Sequence, residues 1–227
     1  MKISSRPLPP ALARSLALTL ALACAALTAR ADIKLPALFS DHMVLQRGAP
    51  LPVWGWADAG EEITITIAGQ TKTTKADATG HWKLTLDPLQ PGAPLTLTAK
   101  GRNTLTISDV LVGEVWLCSG QSNMAMAVKG AQNSDAEIAA AKFPAIRMFK
   151  QADGPAPTPQ ESGTGSWSVC SPESVGAFSA TAFFFGRDLH SALKVPIGLI
   201  NSSVGGTAIE AWTSLDIQKD RPELKPI

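Results

Sequence analysis

The stretch Ser119-Gly120-Gln121-Ser122-Asn123 follows the compact apolar run Val115 to Cys118, and an apolar pattern resumes after it. Such a sequence reads as a strand, a tight polar turn and a new element. A serine placed just beyond a strand can expose its hydroxyl while its own backbone N–H faces the same space. Acyl transfer needs that pairing, because the oxyanion of a tetrahedral intermediate must find donors within hydrogen-bond reach. A second polar loop, Ser202-Ser203-Val204-Gly205-Gly206-Thr207, follows an apolar run ending at Asn201, and its glycine pair offers another N–H with no side chain in the way. In open parallel sheets ligands collect beyond the carboxyl ends of the strands, where both loops belong. Spacing alone leaves Ser122 either a nucleophile or a turn serine. Met124 stands where a G-x-S-x-G elbow needs glycine, which disfavours an ordinary α/β-hydrolase.

The elements that must carry these loops fall into two textures. From Leu51 to about Val110 the chain alternates apolar and polar residues in short runs, with Ile63, Ile65 and Ile67 in one and Trp82, Leu84 and Leu86 in another. Gly69, Gly80 and the Pro91-Gly92 pair punctuate them, so an antiparallel β-sandwich is expected. From Leu111 onward strands alternate with helices. "EVWLC" is a strand, Ser134 and Glu137 form a capping box opening a helix through Lys142, and "AIRMFK" is a second strand. A longer helix follows with Ala182, Phe185, Leu189 and Leu193 on one stripe, then the strand "VPIGLIN" and a further helix beginning at "AIEAW". This order predicts a mostly parallel α/β sheet. "ADGPAPTPQESGTG" reads as a surface loop within it. Only two or three strands are laid down before the sequence ends, fewer than the five or so of a doubly wound sheet, so the chain looks unfinished.

Length and composition set outer bounds. The 227 residues are 45% hydrophobic and 17% charged with net charge +1, enough to bury a core and too balanced to suggest nucleic-acid binding. Lys2, Arg6 and Arg14 precede the apolar run "LALTLALACAAL" and the motif "ARA" ending at Ala31, the pattern of a secretory signal peptide cleaved before Asp32. The apolar run is short for a membrane span, so the mature chain is expected to be periplasmic or secreted, with no membrane association. Cleavage would leave Cys118 and Cys170, either paired or serving as small buried hydrophobes. No Cys/His spacing suggests a metal, and there is no phosphate-binding glycine loop.

The stretches "VGEVWLCSGQSNM", "CSPESVGAFSATAFFFGRDLH" and "VPIGLINSSVGGTAIEAWTS" resemble the sialate O-acetylesterases, a branch of the SGNH hydrolases. "LFSDHMVLQRGAPLPVWGWADAGEEITI" resembles the start of that family's N-terminal β-domain. The resemblance implies that Ser122 is the nucleophile, and that its N–H joins the loop of Gly205 and Gly206, with Gly206 preferred, in the oxyanion hole. Gln121, Asn123 and Glu210 flank these positions as candidate substrate contacts, with solvated helix surface the plainer reading of Glu210. In the family an Asn-bearing motif and the Asp and His of the triad lie downstream, and this sequence ends before them. His42, His81 and His190 read as surface or structural residues, not as substitutes. Val204 stands where the family's motif has Trp.

The expected protein is therefore α/β, with a signal peptide at 1–31, an N-terminal antiparallel β-sandwich over 32–110, and the first part of an SGNH-type parallel sheet with flanking helices over 111–227. Its expected activity is removal of acetyl groups from O-acetylated carbohydrate, sialic acid favoured, without metal or organic cofactor. Acetylated xylan is an alternative substrate. A non-catalytic fragment or carbohydrate-binding module is the competing reading.

Overall fold

In the β-rich part, alternation dictates which faces are buried. The computed structural model describes residues 32–152, 154, 156, 158–219 and 221, so the signal-peptide reading over 1–31 lies outside the described residues. The first strands are β1 (Val44–Gln46), β2 (Leu51–Trp56), β3 (Glu62–Ile67), β4 (Gln70–Lys75), β5 (His81–Leu86) and β6 (Leu95–Lys100). Ile63, Ile65 and Ile67 on β3 are buried, while Thr64 and Thr66 face β4 threonines across the sheet's outer face. Ala68 and Gly69 both take positive φ, 49° and 78°, giving the two-residue hairpin that matches strand twist. β2 pairs with β5, with a single further bridge from Trp56 to Lys34, and this ribbon shares one core with the β3-containing sheet: Val53, Trp82 and Leu86 are clustered with Ile65, Leu97 and Ile107.

β7 runs for 17 residues, Thr104–Gly120. Its first part pairs antiparallel with β6. The register then slips between Ile107 and Val110, and Asp109 in the bulge has φ 54°. Beyond it, Leu111–Gly113 pair parallel with β1, and Glu114–Gly120 pair parallel with β10 (Ile197–Ser203). The change of texture near residue 110 thus coincides with a bulge inside one strand.

Through β7 the sheet continues in the order β7–β10–β8–β9, where β8 is Phe143–Gln151 and β9 is Gly165–Cys170. β7, β10 and β8 are parallel and β9 is antiparallel to β8, so the sheet is mixed and not the mostly parallel one expected. The fold is mixed α/β with few helices: α1 (Ser122–Ala125), α2 (Ser134–Ala140), α3 (Pro172–Val175), α4 (Ala180–Leu193) and α5 (Leu215–Lys219). Along β7, no strand pairs residues 114–120 on the side away from β10 among the described residues. Nearby Trp116 and Leu117 are 42% and 69% exposed.

Three local expectations are corrected. The α2 N-cap is Asn133 in the left-handed conformation, with Ser134 already helical and no side-chain cap; a capping box forms instead between Ser171 and Ser174, at the start of α3. On α4 the buried stripe is Ala182, Phe183 and Gly186, with Phe185 and Leu193 exposed. The helix is turned this way because Gly186 sits directly against Leu199 of β10, where any side chain would crowd it. The segment from Ile209 is a single 3-10 turn followed by α5, not a continuous helix.

Candidate active site

Parallel pairing brings the two polar loops to the same end of the sheet. Ser119 is opposite Ser202 and Gly120 is opposite Ser203, so both strands continue through residues expected to be loop. The Val204 N–H donates to the Gly120 carbonyl at 3.0 Å, tying the first residues beyond each strand. Gly120 has φ 141°, outside the range of other L-residues, and lets the chain leave β7 sharply into α1. Gln121 is the N-cap of α1, and the Ala125 N–H donates to its carbonyl. The N–H groups of Ser122 and Asn123 lie in the first helical turn, where no carbonyl of the helix reaches them.

Ser122 is exposed, and its hydroxyl donates a long 3.5 Å bond to Gln121 Oε1. The opposing loop comes closest at Gly205, where a Cβ would stand 3.5 Å from Ser122 Oγ. Gly206 has φ 81° and open space where its Cβ would be. The structure therefore brings Ser122, Gln121 and the glycine pair together. Asn123 is exposed, and its carbonyl accepts from Thr181 Oγ1 at 2.9 Å, which fastens α1 to the start of α4. Glu210 is half-buried in the 3-10 turn and lines neither cleft described below; its carbonyl accepts from Gln218 Nε2.

Two clefts flank the glycine loop. One of about 260 Å³ is lined by Ser119, Gly120, Gln121, Thr207, Ile209 and Trp212. The other, about 240 Å³, lies between Ser202, Val204 and Trp212 on one side and Gln151, Gly154 and Ala156 on the other. Trp212 Nε1 donates to Thr207 Oγ1 and that hydroxyl donates to the Val204 carbonyl, both at 2.8 Å, so the loop is braced from its outer side.

Sequence reasoning missed Asn201. It is 4% exposed, donates through Nδ2 to the Cys118 carbonyl at 3.2 Å and accepts from Ser203 Oγ. A buried amide satisfied this way clamps the ends of β7 and β10. The available signal was one polar residue closing the otherwise apolar run "IGLIN".

Each histidine is engaged elsewhere. His42 Nδ1 donates to Asp109 Oδ2 at 2.6 Å, His81 Nε2 meets Glu161 at 2.9 Å, and His190 Nδ1 donates to the Val195 carbonyl at 2.7 Å. Among the described residues no group of three or more His, Cys, Asp and Glu could hold a metal ion. Cys118 and Cys170 are both buried free thiols, so they are not paired. Burial pushes both thiols up, Cys170 to about 12. A thiol reagent at pH 8 should therefore leave both unlabelled in the folded chain and modify both after denaturation, as read by peptide mass mapping.

Residues 112–221 match the family described as carbohydrate esterase, sialic acid-specific acetylesterase. The sialate O-acetylesterase of Pongo abelii is 36% identical over 196 residues, covering 77% of this chain and 38% of that protein. Residues 112–221 belong to this family. Among other similar members, the sialate O-acetylesterase of Rattus norvegicus is 34% identical over 82% of this chain and 41% of its own length. A solved carbohydrate acetylesterase from Xanthomonas citri is 38% identical with a TM-score of 0.80, over 85% of this chain and 45% of that one. The chain thus spans less than half the length of these relatives. The family match takes in both β7 beyond the bulge and the glycine loop.

Proposed function

We propose that this chain supplies the nucleophile and part of the oxyanion hole of a carbohydrate O-acetylesterase. The observation that carries the reading is the apposition of Ser122 Oγ and Gly205 across paired strand ends. Ser122 Oγ attacks the acetyl carbonyl, and N–H groups of Ser122 and of the Gly205–Gly206 loop receive the oxyanion. A histidine outside the described residues takes the hydroxyl proton and returns it to the departing sugar oxygen; water then cleaves the acetyl-enzyme. Residues 32–110 act as the β-domain and 111–227 as the start of an SGNH-type esterase sheet.

The relatives' names favour O-acetylated sialic acid as substrate, and acetylated polysaccharide is the alternative. Comparing kcat/KM on O-acetylated sialic acid and on acetylated xylan, in a form carrying the catalytic histidine, decides between them; no hydrolysis of either would end the reading. In that form Gly206→Ala should slow turnover about 10²–10³-fold, the usual effect of losing one oxyanion donor, and φ 81° adds strain to the alanine. Export to the periplasm or beyond is part of the proposal, with Asp32 as the first residue found by N-terminal sequencing of the exported protein.

A further inference from the structure

The outer face of the β2–β5 ribbon carries a groove of about 440 Å³, larger than either cleft beside Ser122 and within the range of small-ligand sites. Its lining includes Pro52, Trp54, Asp77, His81, Trp82 and Lys83. We propose that this groove binds a neutral pyranose unit of an oligosaccharide, as a second carbohydrate site apart from the catalytic cleft. The inference rests on the carbohydrate-esterase reading for the class of ligand.

The groove combines what sugar recognition requires. Trp54 supplies an aromatic surface, and the slightly positive axial C–H groups of a pyranose favour the negative face of an indole. Phe39 stands perpendicular to Trp54 with ring centroids 4.8 Å apart, so the indole is held in place before any ligand arrives. Polar partners stand beside it. Asp77 Oδ1 accepts from the N–H and hydroxyl of Thr79 and from the His81 N–H, while Oδ2 has no partner among the described residues. The Thr79 hydroxyl bond holds the Asp77 carboxyl below its ordinary range, so it remains an ionised acceptor for sugar hydroxyls near neutral pH. Lys83 lies cross-strand from Trp54 and is exposed, forming no ion pair among the described residues; it offers donors. Asp77 and Lys83 face the same groove, and the third titratable group there, His81, is already paired with Glu161, so charges of both signs are present and a neutral sugar is favoured over an acidic one.

The groove also has a physical connection to the catalytic end. Glu161 Oε2 accepts from Trp56 Nε1 at 3.3 Å and from His81 Nε2 at 2.9 Å, on the ribbon that bears the groove. Glu161 belongs to the loop whose earlier residues, Gly154 and Ala156, wall the cleft opposite Ser202 and Trp212. One loop therefore borders both places, as expected if the esterified sugar is part of a longer chain.

Calorimetric titration of the purified chain with xylohexaose, cellohexaose and mannohexaose tests the proposal. Saturable binding of at least one is expected, weakened about fivefold or more by Trp54→Ala and by Lys83→Ala. N-acetylneuraminic acid should bind no more tightly than the best neutral oligomer. Lys83→Ala removes an exposed side chain, so it keeps the test decisive if Trp54→Ala disturbs folding. Absence of binding by all three oligomers, binding unchanged by Lys83→Ala, or binding lost only on Trp212→Ala would overturn the proposal. Groove binding is independent of ester hydrolysis, so failure here leaves the esterase reading standing, and failure of hydrolysis with binding intact removes only that reading.

Discussion

Ser122→Ala should lower ester hydrolysis about 10⁴-fold or more in a form carrying the catalytic histidine, with the circular dichroism spectrum unchanged. Ser122 is exposed at the head of a four-residue helix and contributes no buried side chain, so its loss does not loosen the fold. Covalent catalysis, in contrast, loses its attacking atom. The chain of 227 residues has a matching expectation. A serine hydroxyl at neutral pH is a weak nucleophile until a base within hydrogen-bond reach takes its proton. Ser122 bonds to Gln121, an amide that cannot serve, and all three histidines are engaged elsewhere. Oxyanion donors alone can leave about 10³–10⁴ of acceleration over water, so slow turnover of an aryl acetate is the expected result. Turnover of the purified chain at ordinary enzyme rates would mean that one of these histidines moves to Ser122, and His42 and His190 would be the first to substitute.

The second large effect is on stability. Arg147 on β8 has a side chain only 5% exposed and forks onto Asp109, NH1 to Oδ2 at 2.6 Å and NH2 to Oδ1 at 3.1 Å. It also donates to the carbonyls of Pro144 and His42. Arg147→Ala leaves the carboxylate with His42 as its remaining side-chain donor and takes the Arg147 donor from these carbonyls. Removing one partner of a fully buried pair costs about 3–5 kcal/mol; Asp109 is 33% exposed, so roughly 2–3 kcal/mol is expected from urea unfolding. The pH dependence has a definite sign. Arg147, and then His42, hold the Asp109 carboxyl below its ordinary range. Its contribution is therefore complete above the unfolded value of about 3.9 and disappears as pH falls through the lower folded value. The gap between wild type and Arg147→Ala should narrow in acid below about pH 4. A gap that widened there would contradict the pairing.

Much of the β-rich part was legible because alternation reports burial directly: Ile63, Ile65 and Ile67 are inward as read. The Ser122 turn and the glycine loop were also legible, since small polar residues after apolar runs mark strand ends. β9 was missed, because "GSWSVC" is short and half polar and gains its strand character from pairing with β8. The α4 stripe was misread because Phe183, Phe184 and Phe185 are consecutive, and periodicity cannot say which one is inward; Gly186 against Leu199 decides it. The link from Asp109 to Arg147 spans 38 residues and involves two charged side chains that look like surface in isolation. Asn201 was hidden for the same reason: its partner, the Cys118 carbonyl, is 83 residues away.

The bulge at Asp109 also sets a parity. Side chains on a strand alternate, so the faces of β7 before and after residue 109 are related by whether an odd or even number of residues lies between them. With the extra residue present, Ile107 and Val110 both meet the interior although they are three apart, and Cys118 keeps its buried side. Deleting a residue from either half outside the bulge would make the two halves disagree: either the β6 side or the β10 side must turn its core face outward. Outside residues 108–109, insertions and deletions in β7 should therefore be tolerated only in compensating pairs, whereas loss of the one extra residue in the bulge returns the strand to regular alternation with Ile107 and Val110 still on one face.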